Sequence, residues 1–278
     1  MRFQKILAMT AMVALMTVTA AHASTPAPQN DLAVAAPNLT LGAYGGSIDR
    51  DGKFILSGKG ALSLTGPWGI QVDGADATGS GDNRGGLAAH LFNRNPDKYL
   101  LGLTTMWARI GSRDVFRNGV EGELYVNQFS IHLGGGAQST DGDGTGYINT
   151  KLSAYVNDNL VLSLRGGAFS NKRDGGGEIE WQPMPEQFPA SLFLSGGDTN
   201  DSAGYVIAGV RYSFGTNGAS LKDRDRRYDP DNAVEDFTTG ESGAVGNDEC
   251  HQQPEPNSPR GPHKQIEQPR PCGELPPI

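Results

Sequence analysis

Ser130 and His132 stand two residues apart in a stretch of two-residue apolar period, so both project to one face of a strand. Across the Asn127-Gln128 turn Val126 faces Phe129, which sets Glu123 opposite His132. A hydroxyl, an imidazole and a carboxylate in mutual reach are the parts of a nucleophilic hydrolase. The same spacing also suits a histidine held by a carboxylate inside a polar channel, with no catalysis. Two further patterns carry weak chemical meaning. Asp141-Gly142-Asp143-Gly144 and Asp198-Thr199-Asn200-Asp201 offer oxygens to calcium or to cations bridging lipopolysaccharide, yet lack the spacing of a calcium loop. Gly134-Gly135-Gly136 and Gly175-Gly176-Gly177 precede no helix, so they do not read as phosphate cradles.

A larger constellation surrounds these residues. Asp73, Arg94, Glu121, Glu123, His132, Lys151, Arg165, Glu178, Glu180 and Arg211 all fall on the polar side of alternating segments, with Lys59, Gln71, His90, Tyr125, Tyr155 and Tyr205. The signs are nearly balanced. A ring of one sign selects ions, whereas a mixed set pairs and fills a lumen. Lys151 and Arg165 fall opposite one another across the Asn157-Asp158-Asn159 turn, and like charges there cost energy. Glu178 or Glu180 on the next strand is expected to relieve them. No Cys/His spacing matches a zinc site, and neither a metal nor another cofactor is expected.

The elements that carry these residues are strands. Twelve candidates span about 38–48, 53–65, 68–76, 84–94, 99–110, 115–126, 129–137, 146–156, 160–170, 177–182, 190–196 and 203–214. The segments 177–182 and 190–196 are weak, which leaves ten strands as the alternative. The apolar side runs through Phe54, Leu56, Leu62, Leu64, Trp68, Ile70, Val72, Leu87, Leu91, Val120, Leu124, Val126, Phe129, Ile131, Leu133, Leu160, Leu162, Leu164, Val206, Val210, Tyr212 and Phe214. Segment 99–110 is apolar on both sides and gives no register. One alternate set of connections, 66–67, 95–98, 127–128, 157–159 and 183–189, consists mostly of tight turns. The others are Gly/Asp/Asn-rich and look looser: 49–52, 77–83, 111–114, 138–145, 171–176 and 197–202. That asymmetry, and aromatics at the short-turn ends, are features of outer-membrane barrels. The reading is all-β: a closed antiparallel transmembrane barrel of about twelve strands over 38–214. A soluble β-sandwich would alternate equally well.

The ends read as export signals and spacers. Residues 1–23 form a signal peptide, with Arg2 and Lys5, an apolar run over Ile6–Thr19 and a cleavage site at Ala21-His22-Ala23. The mature chain would begin at Ser24, with 24–37 as a flexible leader. Residues 215–278 have no apolar period and many prolines, and read as a disordered periplasmic tail whose removal from 229 onward would leave the barrel intact. Cys250 and Cys272, the only cysteines, lie in it and form a disulfide candidate. With 31 acidic against 23 basic residues and net charge −8, the chain is not a nucleic-acid binder. Its partners would be membrane lipid and lipopolysaccharide, the barrel assembly machinery, and a periplasmic or cell-wall partner for the tail.

Three stretches also resemble an uncharacterised, porin-like family of outer-membrane β-barrels from Gram-negative bacteria. They are Gly69 to Gly74 with Gly86 to Pro96, then Leu100-Leu101-Gly102-Leu103 with Gly119 to Tyr125, and the close Gly209 to Gly215 with Ser220 to Arg226. The resemblance covers about 66–228. It implies a barrel and an outer-membrane location but no substrate, since the family has no settled activity; the chain is not expected to be an enzyme. A structural or passive-transport role with a narrow or salt-bridge-plugged lumen follows. The alternatives are a surface adhesin acting through the acidic loops and, remotely, a barrel hydrolase. One departure is that Phe214 does not end the chain.

Overall fold

The computed structural model describes residues 32–169, 172–199 and 204–239. Twelve strands follow one another: β1 Asn38–Ile48, β2 Asp51–Thr65, β3 Trp68–Gly79, β4 Arg84–Asn95, β5 Tyr99–Ile110, β6 Arg113–Val126, β7 Phe129–Thr140, β8 Asp143–Asn157, β9 Leu160–Phe169, β10 Lys172–Trp181, β11 Ala190–Thr199 and β12 Tyr205–Phe214. Each pairs antiparallel with its sequence neighbours, and β1 pairs with β12 from Leu39↔Phe214 to Ile48↔Tyr205, closing the barrel. Closure satisfies every strand edge, which an apolar outer face in lipid requires. The ten-strand alternative falls. The two weak segments are parts of β10 and β11, obscured because the Gly175-Gly176-Gly177 run stays in the ladder. A Cβ on Gly176 would lie 2.4 Å from the Tyr205 hydroxyl and 2.9 Å from the Gly196 carbonyl oxygen, so the wall there has no room for one.

The expected asymmetry of the connections does not hold. At the rim thought to carry loose loops, β1–β2, β5–β6 and β7–β8 are joined by two residues each: Asp49-Arg50, Gly111-Ser112 and Asp141-Gly142. Asp49 and Arg50 both take positive φ, 54° and 70°, as a tight I′ hairpin demands. The Gly, Asp and Asn residues are hairpin tips and paired strand ends; their polarity reports water around the strand, not an absence of pairing. Among the described residues the longest connection, 182–189, lies at the opposite rim, hereafter the short-turn rim.

The outward face is apolar as the alternation predicts. Phe54, Leu64, Val120, Leu133, Leu164 and Val206 are among its exposed members. Trp68, Phe129, Trp181, Phe188 and Phe214 are exposed at the short-turn rim, where Tyr212 packs between Phe188 and Phe214 with ring centroids 5.3 and 4.6 Å away. That is the placing of an interfacial aromatic belt. The ambiguous β5 is now resolved: Leu101, Leu103 and Trp107 point out, while Leu100, Met106 and Ala108 are buried inside.

Residues 215–239 differ from the expected disordered tail. After β12 the chain turns at the short-turn rim, forms α1 (Leu221–Arg227), and continues into the barrel interior as α2 (Ala233–Thr239). Ser220 caps α1, its Oγ accepting from the Asp223 backbone N–H at 3.2 Å. Asn232 caps α2, its Oδ1 accepting from the Glu235 N–H at 2.9 Å. Val234 and Phe237 of α2 are fully buried against Ala75, Ala88, Met106, Ala108, Ile110 and Val115 of the wall. An apolar inner face on β5 therefore has a partner inside the barrel.

The leader is also partly ordered. Ala33 and Val34 are buried with Ala61, Phe92, Leu100 and Tyr125, and Val34 N–H donates to Ser63 Oγ at 2.8 Å. Ala35 N–H donates to the Arg227 carbonyl at 2.7 Å, so the leader and α1 share the same mouth. Residues 1–31 and 240–278, with the signal peptide, Cys250 and Cys272, lie outside the described residues. No helix among the described residues is long and apolar enough to cross a membrane, which bears only on helices.

Candidate functional site: the charged lumen

Alternation aims every second side chain inward, so neighbouring strands stack their polar residues into clusters. In the first, His90 of β4 lies between two carboxylates. Its Nε2 is 2.9 Å from Asp73 Oδ2, and its Nδ1 is 2.9 and 3.1 Å from the two oxygens of Glu121. Gln71 donates to Asp73 Oδ1 at 2.7 Å, and the Ala233 N–H of α2 donates to Asp73 Oδ2 at 2.9 Å. All three ionisable side chains are almost wholly enclosed. His90 joins Asp73 to Glu121, a role that spacing alone did not assign to it.

The second cluster holds the candidate catalytic residues. His132 sits opposite Glu123 in register, as expected, with Nδ1 3.5 Å from Glu123 Oε1. The Tyr125 hydroxyl donates to Glu123 Oε2 at 2.8 Å. Asp231 of the lumen segment joins them, the ligand-type atoms of Glu123, His132 and Asp231 lying within 4.8 Å of one another. The carboxylates are already engaged, Glu123 by Tyr125 and Asp231 by the Lys151 ammonium at 2.9 Å. Ser130 does not complete a triad: its Oγ accepts from Arg226 Nε of α1 at 3.2 Å.

The third cluster corrects the expected relief of Lys151 and Arg165. The two are direct cross-strand neighbours. Their acids come from inside the barrel: Lys151 Nζ lies 2.9 Å from Asp231, and Arg165 Nη1 lies 2.8 Å from Asp236. Lys59 meets Asp229 at 3.3 Å. Glu178 and Glu180 bind Arg211 instead, Nη1 lying 3.0 Å from Glu178 and 2.5 Å from Glu180, while Nη2 reaches Glu235 at 2.5 Å. Arg224 of α1 donates to Glu180 at 2.7 Å. Arg94 departs from the expected network. Among the described residues it forms no ion pair; it is buried near the Phe92 ring, and its Nη1 donates to the Ala33 carbonyl at 3.3 Å.

Burial sets the protonation of the segment's acids. It pushes the Asp225 carboxyl up to about 6, with Glu180 adding and Arg224 opposing. Burial likewise pushes Asp236 up to about 6 despite Arg165 and Lys151, with Asp231 and Glu235 adding. Burial would raise Asp231 too, but Lys151, His132 and Lys59 together hold it below the ordinary carboxylate range. A polar cavity of about 60 Å³ remains among these groups, room for a few waters only.

Apolar periodicity does not reveal the lumen segment, because its helices carry only isolated apolar side chains. Two capping signals were present: Ser220-x-x-Asp223 before Leu221, and Asn232-x-x-Glu235 with Val234 and Phe237 three apart. Asp141 and Gly142 form a hairpin tip, and Asn200 and Asp201 lie outside the described residues. Asp141 Oδ1 accepts from the Asp114 N–H at 3.2 Å, and Asp198 pairs in the ladder with Gly175.

No family model matches the chain, and no curated protein matches it by sequence. Solved structures do match in fold. The KdgM porin in complex with disordered oligogalacturonate superposes with TM-score 0.51 at 11% identity, over 63% of this chain and 99% of that one. A second structure, of the KdgM porin, gives 0.51 at 10% identity over the same shares. At that identity the likeness is one of barrel architecture.

Proposed function

We propose that the protein is an outer-membrane barrel with a structural or passive-transport role, its lumen closed by its own segment 215–239. One observation carries this reading: wall cations Lys59, Lys151, Arg165 and Arg211 are each paired with a carboxylate of that segment. The exposed apolar belt supports a place in lipid, and the porin-type barrel supports passage as the role. KdgM was solved with oligogalacturonate; here the interior cation positions are filled from within. The signal peptide cleaved after Ala23 would export the chain. Both barrel ends, at Asn38 and Phe214, would then face the periplasm. Lipid and lipopolysaccharide would surround the belt, and the assembly machinery would insert it.

The adhesin reading has less support, because three of the connections at the far rim are two residues long. The hydrolase reading has less still, with Ser130 held by Arg226. Planar-bilayer conductance tests the proposal. The full chain is expected to be nearly silent, and a chain ending at Gly215 is expected to open in discrete steps. A truncated barrel that shifts on gels like a folded one yet stays silent would remove transport and leave the structural role. Recovery of the protein as a soluble species without detergent would remove the membrane location altogether.

A further inference from the structure

Lys59, Lys151, Arg165 and Arg211 project from β2, β8, β9 and β12 into one lumen. They meet Asp229, Asp231, Asp236 and Glu235, four carboxylates strung along eight residues of chain. The adjacency of Lys151 and Arg165 is costly in a bare wall, since like charges directly opposite destabilise a strand pair. The backbone of the segment is gripped as well. Its Pro230 carbonyl accepts from Lys59 Nζ at 2.9 Å, and its Ala233 N–H donates to Asp73. The occupant is thus an ordered chain, helical from Ala233, whose acids at 229, 231, 235 and 236 are held by cations spread over four strands. Apolar contacts anchor it at both ends: Leu221 packs on Tyr155 and Val161 near the mouth, and Val234 and Phe237 pack on the wall deeper in. Between β12 and α1 the chain turns through Gly215, Asn217 and Gly218, all at positive φ.

We propose that residues 229–236 occupy a binding track for a linear polyanion, a solute with carboxylates on successive units, and that such a solute competes with the segment for the lumen. The inference rests on the transport reading for its biological sense, but binding is measured without conduction. When the segment leaves, the acids of Asp225, Asp229, Asp231, Glu235 and Asp236 leave with it. Lys222, Arg224, Arg226 and Arg227 leave too, so residues 219–239 take away six acids against four cations; the acids paired with Lys59, Lys151 and Arg165 go, while Arg211 keeps Glu178 and Glu180. A solute carrying one acid meets one cation; a chain meets several, and its later contacts form at the high effective concentration that tethering gives. The track should therefore prefer a chain of acids over the same acids as monomers.

The experiment folds the full chain with a protease site inserted between Gly218 and Ala219, then cuts it. The segment stays in place, now held only by its contacts. A fluorophore at the C-terminus reports its release into solution at constant ionic strength. Hexaglutamate is expected to release it at a total carboxylate concentration at least about tenfold below that needed with monomeric glutamate. A neutral hexasaccharide is expected to release nothing. Equal potency of hexaglutamate and glutamate would overturn the proposal. So would release by 1 M salt but not by hexaglutamate, or a segment that neither displaces, which would make it a fixed part of the wall. The two readings fail separately. A barrel that conducts once truncated but ignores hexaglutamate keeps transport and loses the track; one that yields its segment to hexaglutamate but never conducts does the reverse.

Discussion

At the scale of single residues, His90 and the two acids around it are the most demanding element of the interior. Two carboxylates share one imidazole in a nearly water-free site. Replacing His90 by Leu leaves Asp73 and Glu121 without their common partner. Breaking such a buried group costs about 3–5 kcal/mol. The temperature at which the folded band converts to the unfolded one on a gel should fall clearly for H90L; an unchanged transition would mean the cluster contributes nothing. The segment's acids predict a pH effect of definite sign. Asp225 and Asp236 sit at about 6 when docked, against 3.8 ordinarily. The docked state then binds more protons than the free one, so docking strengthens as pH falls through 6 towards 3.8, and above 6 these groups leave it at its weakest and level. Asp231 runs the other way: its contribution is present above 3.8 and is lost only below it. About a third of the Asp236 side chain remains open, which softens the effect. Protease protection of residues 221–239 should be greater at pH 5 than at pH 8, and D236N should flatten the difference. Protection that rises with pH would contradict the assignment.

At the scale of elements, α2 explains what β5 left ambiguous. A strand apolar on both faces reads as buried on both, and β5 meets the outer belt on one side and Val234 and Phe237 on the other. The strands were legible because period two is a strong signal that needs no partner. The helices were not, because seven residues with two apolar side chains cannot be told from linker without knowing what they pack on. The Lys151 and Arg165 conflict was legible in sequence, and it was a correct alarm: the missing acids existed, further along the chain than the neighbouring strand. Loop looseness was misread because composition near a hairpin tip reflects solvent. Phe237→Ala should cost roughly 3–5 kcal/mol of segment docking, seen as faster proteolysis of 221–239 while the folded gel band persists. Loss of the folded band along with protection would show instead that the wall depends on α2.

At the scale of the whole molecule, the chain order has a kinetic consequence. The segment that neutralises the interior follows β12, so the strand that closes the cylinder is made before the occupant. A wall that closes before the segment docks holds Lys151 and Arg165 side by side with no acid between them. An empty closed cylinder should form as a transient species, with packing of α2 as a later and separate event. Refolding in detergent micelles is then expected in two phases, recovery of the gel shift preceding recovery of protease protection. Pre-formed cylinders should take up a synthetic 216–239 peptide added afterwards, through the short-turn mouth that the leader and α1 already share. Simultaneous recovery, or a cylinder that forms only when that peptide is present from the start, would mean that wall and occupant assemble as one nucleus. In that case the interior would be a scaffold around which the strands are wound, and its release would unwind them.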